Sequence, residues 1–249
     1  MNPKYSICVT TYNCISTIKE SLDSILSQID QKYEVIVVDN RSTDGSLEVL
    51  QELARDNKVR LIVEKTSRGC GRQRAFEHSK GEFIIDHIDA DDVYKPILSK
   101  LIGYYHANFE GNMMLCKGFF VAPRDLILAV GGWKDLQWGE DWELYARIAA
   151  LGRLRYLSIQ TRSRVKPHGM GPFFYKLRYR YQRARDTIRR GEPLSYALPA
   201  NLAKKILFLP LAVLAWIEAK RKGVVAEKYR LRLEDYEVLV EQAFREALG

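Results

Sequence analysis

The chain has 249 residues, of which 47% are hydrophobic and 28% charged, and its net charge is +8. These values are ordinary for a globular protein with one large domain, or one domain and an appendage. Its four cysteines include no CxxC pair and no Cys/His cluster, which excludes a zinc site of the usual spacing. They are expected to be reduced thiols of a cytosolic protein, and no signal peptide is expected because the first residues run straight into a strand pattern.

The excess positive charge lies in the last 90 residues. Residues 160–249 hold 19 Lys and Arg against 9 Asp and Glu, whereas residues 1–159 hold 20 and 22. A basic excess confined to one segment indicates an anionic partner, either lipid headgroups or nucleic acid. No RNP or helix-turn-helix signature is present, so a nucleic-acid partner is not expected.

Strand and helix patterns alternate along the first 160 residues. Short apolar runs predict strands over residues 5–10, 35–39, 59–63, 83–88 and 115–121. Apolar residues at helical spacing predict helices over residues 16–27, 46–54, 72–79, 96–106 and 141–151. This alternation predicts an α/β fold with a doubly wound, mostly parallel sheet and helices on both faces.

Three carboxylates stand within four residues where the strand at 83–88 ends, at Asp89, Asp91 and Asp92. Such a cluster is repulsive unless a positive charge compensates, and hard oxygen ligands favour Mg²⁺ or Mn²⁺. Open α/β sheets bind ligands at the carboxyl ends of their strands, which favours a metal site here. The alternative is an acidic turn that caps the next helix.

Two segments beyond residue 160 predict a basic helical extension. Residues 162–190 hold ten Lys and Arg, one acid and several aromatic residues, and their narrow apolar stripe suits a helix lying on an anionic membrane. Residues 206–217 form the longest apolar run, which is shorter than the roughly 20 residues that span a bilayer. Flanking lysines suit a segment in the membrane interface, and a buried core helix is the alternative. A last amphipathic helix is predicted over 233–247.

Four stretches of the chain are similar, in the same order, to the family-2 inverting glycosyltransferases. Residues 9–13 resemble the first strand and nucleotide-side loop of that family, and residues 35–46 resemble its second strand and the loop that follows. The DxD motif of the family corresponds to residues 89–92. Residues 131–144, with Gly-Gly-Trp and then Gly-Glu-Asp-Trp, resemble its acceptor-side segment.

The resemblance covers about residues 5–156 and implies a GT-A fold, a nucleotide-sugar donor and transfer with inversion. It implies a glycosyltransferase domain over residues 1–160, with the nucleotide-sugar half at about 1–95 and the acceptor half at about 96–160. Residues 161–249 would then be the basic, aromatic-rich, membrane-associating extension.

The resemblance also implies roles for particular residues. Asp141 would be the general base, although a carboxylate at a helix start is also a common cap. Glu140 would be its helper or a neighbour of the metal. The donor would contact Thr11, Asn13, Asp39, Arg72 and Asp89, and Mg²⁺ or Mn²⁺ would be held by Asp89, Asp91 and His168. The alternatives are that Asp39 is a turn residue, that Arg72 is solvated and that His168 has no role.

The expected function is transfer of one sugar from a UDP- or GDP-sugar to a hydroxyl of a lipid-linked glycan or glycolipid. The expected location is the cytoplasmic face of the cell membrane, where the basic helices would hold the protein as a peripheral or monotopic enzyme. One alternative keeps the fold but has a polyprenyl phosphate as acceptor, whose anionic oxygen needs no base. The other is a non-catalytic protein that binds a membrane surface.

Overall fold

A computed structural model describes residues 2–164, 173–199 and 201–225. The strands within these ranges are β1 (Tyr5–Thr11), β2 (Tyr33–Asp39), β3 (Arg60–Val63), β4 (Phe83–Asp89), β5 (Asp92–Tyr94), β6 (Met113–Lys117), β7 (Phe120–Pro123), β8 (Leu154–Gln160) and β9 (Arg162–Arg164). The helices are α1 (Ile18–Leu26), α2 (Ser46–Arg55), α3 (Arg68–His78), α4 (Leu98–Asn108), α5 (Arg124–Ala129), α6 (Glu140–Ala150), α7 (Phe173–Arg189), α8 (Leu194–Ala197) and α9 (Leu202–Lys222).

A seven-stranded sheet forms the centre of the protein, in the order β3-β2-β1-β4-β7-β6-β8. The first four strands are parallel, as the alternating pattern predicted, and β6 and β8 are also parallel to each other. Within this sheet, β7 runs antiparallel to its neighbours β4 and β6. The prediction of an α/β fold with a mostly parallel sheet is confirmed.

The prediction of one strand over residues 115–121 is wrong, because the chain turns back on itself at Gly118 and forms the hairpin β6–β7. Gly118 has φ +143°, and a Cβ at this position would lie 2.2 Å from the hydroxyl of Thr161. A continuous apolar run hides such a turn, since both strands of the hairpin are buried.

Helices cover both faces of the sheet, as predicted. One core contains side chains from α1, α2 and α4, such as Leu22, Leu50 and Leu101, and the other contains side chains from α3, α5 and α6. Each apolar strand contributes alternate residues to the two cores, which explains why its sequence is apolar throughout.

Helices α7 and α9 pack against each other beyond the sheet. Their contact uses small buried side chains, among them Ala184 of α7 and Ala212, Ala215 and Ala219 of α9. The opposite side of α9 is apolar and exposed over much of the predicted 206–217 segment, with Leu207 73% and Leu214 58% exposed. Among the described residues, none of the helices has the length and apolar character needed to cross a bilayer.

Candidate active site

The parallel strands β1, β2 and β4 end at one edge of the sheet, and most of the predicted site residues lie there. Thr11 ends β1, Asp39 ends β2, and Asp89 ends β4. Thr11 pairs in register with Asp39, and Thr10 pairs with Asp89, so the three strand ends are adjacent. This is the edge at which open α/β sheets bind ligands.

The loops after β1 and β2 hold each other in place through side-chain hydrogen bonds. Asp39 is fully buried, and its two carboxylate oxygens accept from the backbone N–H (2.8 Å) and hydroxyl (2.6 Å) of Ser42. The side-chain oxygen of Asn13 accepts from the Thr43 N–H at 2.9 Å, while the Asn13 N–H donates to the Ser42 hydroxyl. Both Asp39 and Asn13 thus build the loop, and their contact with a donor stays a prediction.

A β-bulge lies near the end of β4. Ile7 and Val9 of β1 pair with Ile85 and Ile88, so that Asp86 and His87 together stand opposite Cys8 alone. His87 has φ +69°, a left-handed conformation that costs a residue with a Cβ some free energy. Bulges of this kind often re-aim side chains near active sites.

Asp89, Asp91 and Asp92 form the predicted acidic cluster. Each residue offers one carboxylate oxygen, and these oxygens lie within 4.8 Å of one another. Three hard oxygen donors at this spacing fit Mg²⁺ or Mn²⁺. Arg162 of β9 also reaches this cluster, with its Nη1 2.6 Å from Asp89 Oδ2 and in contact with Asp92. His168, the third predicted metal ligand, lies outside the described residues.

Arg72 of α3 lies at the centre of a second group of carboxylates. Its side chain is 1% exposed and contacts the buried Asp86. Its Nε lies 3.1 Å from Asp141 Oδ1 and 3.5 Å from Glu140 Oε1, and its Nη2 lies 3.7 Å from Asp89 Oδ1. Arg72 is therefore not solvated; it links the acidic cluster to the Glu140-Asp141 pair. Its contact with a donor stays a prediction.

Glu140 and Asp141 are the first two residues of α6. Gly139, the preceding N-cap residue, has φ +72°, so the chain enters the helix through a left-handed turn. Both carboxylates are buried, and Asp141 Oδ2 lies 3.6 Å from His87 Nε2. The other ring nitrogen of His87 is 2.7 Å from the hydroxyl of Tyr145, one turn further along α6. His87 therefore contacts the predicted base.

Burial and charge shift several pKa values at the site. Burial raises the pKa of Asp86 to about 7, although Arg72 opposes this effect. Burial, followed by the charge of Asp141, raises the pKa of Glu140 to about 7. For Asp89, burial alone would raise the pKa, but His87, Arg72 and Arg162 outweigh it and lower the pKa to about 2. Burial also lowers the pKa of His87, although the charge of Asp141 opposes this effect. Asp89 is therefore ionised at neutral pH and suited to bind a cation.

Sequence reasoning assigned no role to three residues that the structure brings to the site, namely Asp86, His87 and Arg162. Asp86 and His87 come from the bulge, which an apolar strand pattern does not reveal. Arg162 reaches Asp89 because β9 pairs with β5, directly after the acidic cluster. In the sequence it was one basic residue among the ten of the segment 162–190, and its partner is 73 residues away.

A family model described as "Glycosyl transferase family 2" matches residues 6–132, which is half of the chain. The poly(ribitol-phosphate) beta-glucosyltransferase of Bacillus spizizenii is 37% identical over 95 residues, covering 36% of this chain and 15% of that protein. The Escherichia coli protein WfgD, a UDP-Glc:alpha-D-GlcNAc-diphosphoundecaprenol beta-1,3-glucosyltransferase, is 28% identical over 133 residues. That match covers 49% of this chain and 52% of WfgD. The chain thus spans between 15% and 52% of the length of these relatives.

Solved structures show the same fold. The mannosyltransferase PcManGT from Pyrobaculum calidifontis, in complex with GDP-Man and Mn²⁺, has a TM-score of 0.60 and 22% identity. The match covers 100% of this chain and 81% of PcManGT. Glucosyl-3-phosphoglycerate synthase from Mycobacterium tuberculosis, in complex with Mn²⁺, UDP and glucosyl-3-phosphoglycerate, has a TM-score of 0.58 and 17% identity, covering 77% of this chain and 81% of the synthase. The fold of this chain is therefore GT-A.

Proposed function

We propose that this chain, which belongs to glycosyl transferase family 2, moves one sugar from a nucleotide-sugar donor to an acceptor hydroxyl with inversion. One observation carries the proposal: a single buried guanidinium, that of Arg72, contacts both Asp89 and Asp141. The predicted cation site and the predicted base therefore contact the same buried side chain, which places them next to each other. A cation that holds the donor diphosphate would then lie close to the base that takes the proton of the acceptor hydroxyl.

Asp89 and Asp91, with Asp92 beside them, would hold Mg²⁺ or Mn²⁺. Bound there, the ion would neutralise charge on the donor diphosphate as the sugar–phosphate bond breaks. The solved relatives PcManGT and glucosyl-3-phosphoglycerate synthase contain Mn²⁺ together with GDP-Man and UDP, which supports a UDP- or GDP-sugar as donor. If His168 is a further ligand, it would come from the segment that follows β9.

Asp141 would act as the general base. Its carboxylate would accept the proton of the acceptor hydroxyl as that oxygen attacks the anomeric carbon. Arg72 contacts both oxygens of this carboxylate and His87 lies 3.6 Å from one of them, so neighbouring side chains hold it in place. Glu140 contacts Arg72 and Arg68 and would help to keep this arrangement in place.

The acceptor would be a lipid-linked glycan or glycolipid at the cytoplasmic face of the cell membrane. The names of two relatives support this class, since one acts on poly(ribitol-phosphate) and the other on a diphosphoundecaprenol-linked sugar. The exposed apolar side of α9, with Lys220, Arg221 and Lys222 in its last turn, suits an anionic membrane interface.

The substitution Asp91→Asn tests the cation site. We expect it to abolish sugar transfer and to abolish the rise in melting temperature that Mn²⁺ with UDP or GDP causes in the wild-type protein. Asp56→Asn, at an exposed position outside the site, is the matched control and should behave as wild type. Metal-dependent turnover that survives in Asp91→Asn would contradict the assignment.

The substitution Asp141→Asn tests the base and the acceptor class together. A hydroxyl acceptor needs a base, so the rate of sugar transfer by this variant should fall by a factor of about 10² to 10⁴. A polyprenyl phosphate brings an oxygen that is already anionic, and a near-normal rate would favour that acceptor. If the wild-type protein binds donors and membranes but transfers nothing across a panel of acceptors, the non-catalytic alternative is favoured.

The double substitution Leu207→Glu/Leu214→Glu tests the membrane interface. The wild-type protein should float with vesicles that contain about one third phosphatidylglycerol, because apolar burial adds to attraction by anionic lipid. The double variant should stay in the soluble fraction. Leu128→Glu is the control, since Leu128 is 56% exposed and lies on α5. Flotation of the double variant at the wild-type level would contradict membrane binding through the apolar side of α9.

A further inference from the structure

The loop at residues 134–139, here called the entry loop, leads directly into Glu140 and Asp141. On one side it is fastened to the start of α3, the helix that carries Arg72. The Gly69 N–H donates to the Leu136 carbonyl at 2.9 Å, and the Ser67 hydroxyl donates to Asp135 at 2.6 Å. A Cβ on Gly69 would lie 2.0 Å from the Lys134 carbonyl oxygen, so the loop and the helix are in direct backbone contact.

On its other side the entry loop is fastened to α7 by Asp186. One carboxylate oxygen of Asp186 accepts from the backbone N–H groups of Gln137 (2.7 Å) and Trp138 (3.0 Å). Asp186 is fully buried, and Arg185 compensates its charge with Nε 2.6 Å from the other carboxylate oxygen. A carboxylate that accepts two backbone N–H bonds in a buried position makes a strong, directional link.

Trp138 strengthens the same link. The guanidinium groups of Arg183 and Arg190 lie over its ring, at 4.7 Å and 4.8 Å from the ring centroid. Its indole N–H donates to the hydroxyl of Tyr179 at 3.1 Å. Trp138 therefore binds the entry loop to the basic helix α7.

These contacts determine where α6 begins. The two amides that Asp186 binds belong to residues 137 and 138, and Gly139 follows with φ +72° as the N-cap residue of α6. A shift of these amides would move Glu140 and Asp141 relative to Arg72, because α6 continues directly from the loop. Displacement of a catalytic group by about 1 Å can reduce a rate about 100-fold.

We propose that Asp186 is a positioning residue, which holds the entry loop so that Asp141 stays aligned with the acceptor. The expected effect on catalysis rests on the proposed function. The expected effect on the entry loop rests only on the two hydrogen bonds of Asp186. It also gives α7 a role besides membrane contact: this helix is a support for the catalytic segment.

Hydrogen exchange tests the structural part without any substrate. In Asp186→Ala we expect the amides of Gln137 and Trp138 to exchange at least about 10-fold faster than in the wild type. Asp186→Asn keeps one acceptor oxygen, so its amide exchange rates should lie between those of the wild type and of Asp186→Ala. Tyr181→Phe is the matched control, since it removes a contact between α7 and Glu218 of α9 but none with the entry loop. It should leave both amides unchanged.

Steady-state kinetics tests the positioning role. In Asp186→Ala we expect kcat to fall about 10- to 100-fold while KM for the donor changes less than about twofold, and Asp186→Asn should restore part of kcat. If the alanine variant does not fold, Asp186→Asn becomes the test of the proposal. Amide exchange rates and a kcat equal to those of the wild type would then overturn it. If the wild-type protein transfers no sugar, that result counts against the proposed function instead. Hydrogen exchange would still show whether Asp186 holds the entry loop.

Discussion

Replacement of Arg72 by methionine should be among the most destabilising single substitutions in this protein. Methionine keeps most of the side-chain volume but removes the only positive charge in contact with Asp86 among the described residues. Asp86 is fully buried, so it would be left as a charged group without its ion-pair partner, or would have to be protonated. Asp141, Glu140 and Asp89 would lose the same guanidinium.

The magnitude follows from the geometry. Removal of one partner from a buried ion pair costs about 3–5 kcal/mol, and here a single guanidinium serves several carboxylates. Small domains are stable by only about 5–15 kcal/mol, so the loss would be a large fraction of the total. Arg74 lies two residues away on α3, pairs with Glu64 and Glu77, and has a side chain that is 47% exposed. Arg74→Met should therefore cost less than about 1 kcal/mol.

Urea unfolding above pH 7, where Asp86 with its pKa of about 7 is ionised, measures the effect in four proteins: wild type, Arg72→Met, Asp86→Asn and the double variant. The double variant should be destabilised by at least about 1 kcal/mol less than the sum of the two single variants, because a neutral amide at position 86 no longer needs the guanidinium. A free energy of unfolding of Arg72→Met within about 1 kcal/mol of the wild type would contradict this prediction. So would simple additivity of the two substitutions.

Two further predictions concern α6. Because the pKa of Glu140 in the folded protein is about 7, above its usual 4.5, the folded state keeps a proton that the unfolded chain has lost between these values. Its contribution to stability therefore falls as pH rises through this window, and Glu140→Gln should gain stability relative to the wild type from pH 4.5 to 7, measured by urea unfolding. Gly139→Ala should destabilise more than Gly152→Ala, by about 1 kcal/mol. Both glycines have positive φ, but of the two only Gly139 would place a Cβ against a side chain, that of Arg190 at 2.2 Å. The Arg190 guanidinium is buried over the Trp138 ring and paired with Glu192, so it cannot move aside freely. Equal melting temperatures of the two variants would contradict this prediction.

The sequence was sufficient to predict the alternation of strands and helices and the edge of the sheet where the site lies. Each buried parallel strand is a short apolar run that ends in a polar residue, as at Asp39 and Asp89, and periodicity detects such runs. It could not detect the turn at Gly118, because the residues on both sides of it are apolar. It also placed the start of α3 four residues too late, at residue 72 rather than 68, since glycines at 69 and 71 weaken a helical pattern.

The environment of Arg72 could not be predicted for a different reason. The family resemblance implied that Arg72 contacts the donor, with a solvated side chain as the alternative. Its carboxylate partners come from β4 and from the start of α6, which is 68 residues further along the chain. Contacts of this kind depend on how strands and helices meet in three dimensions, and no local pattern contains that information.

The β-bulge at Asp86 and His87 separates the end of β4 from the rest of the strand. Residues Phe83–Ile85 keep regular pairing with β1 and form part of the core, whatever happens beyond them. The extra residue interrupts the pairing opposite Cys8, and pairing resumes at Ile88, which belongs to the same core. Substitutions that alter the chemistry of this strand tip should therefore keep Asp86 and Ile88, which are buried, and leave the pairing of Phe83–Ile85 with β1 unchanged.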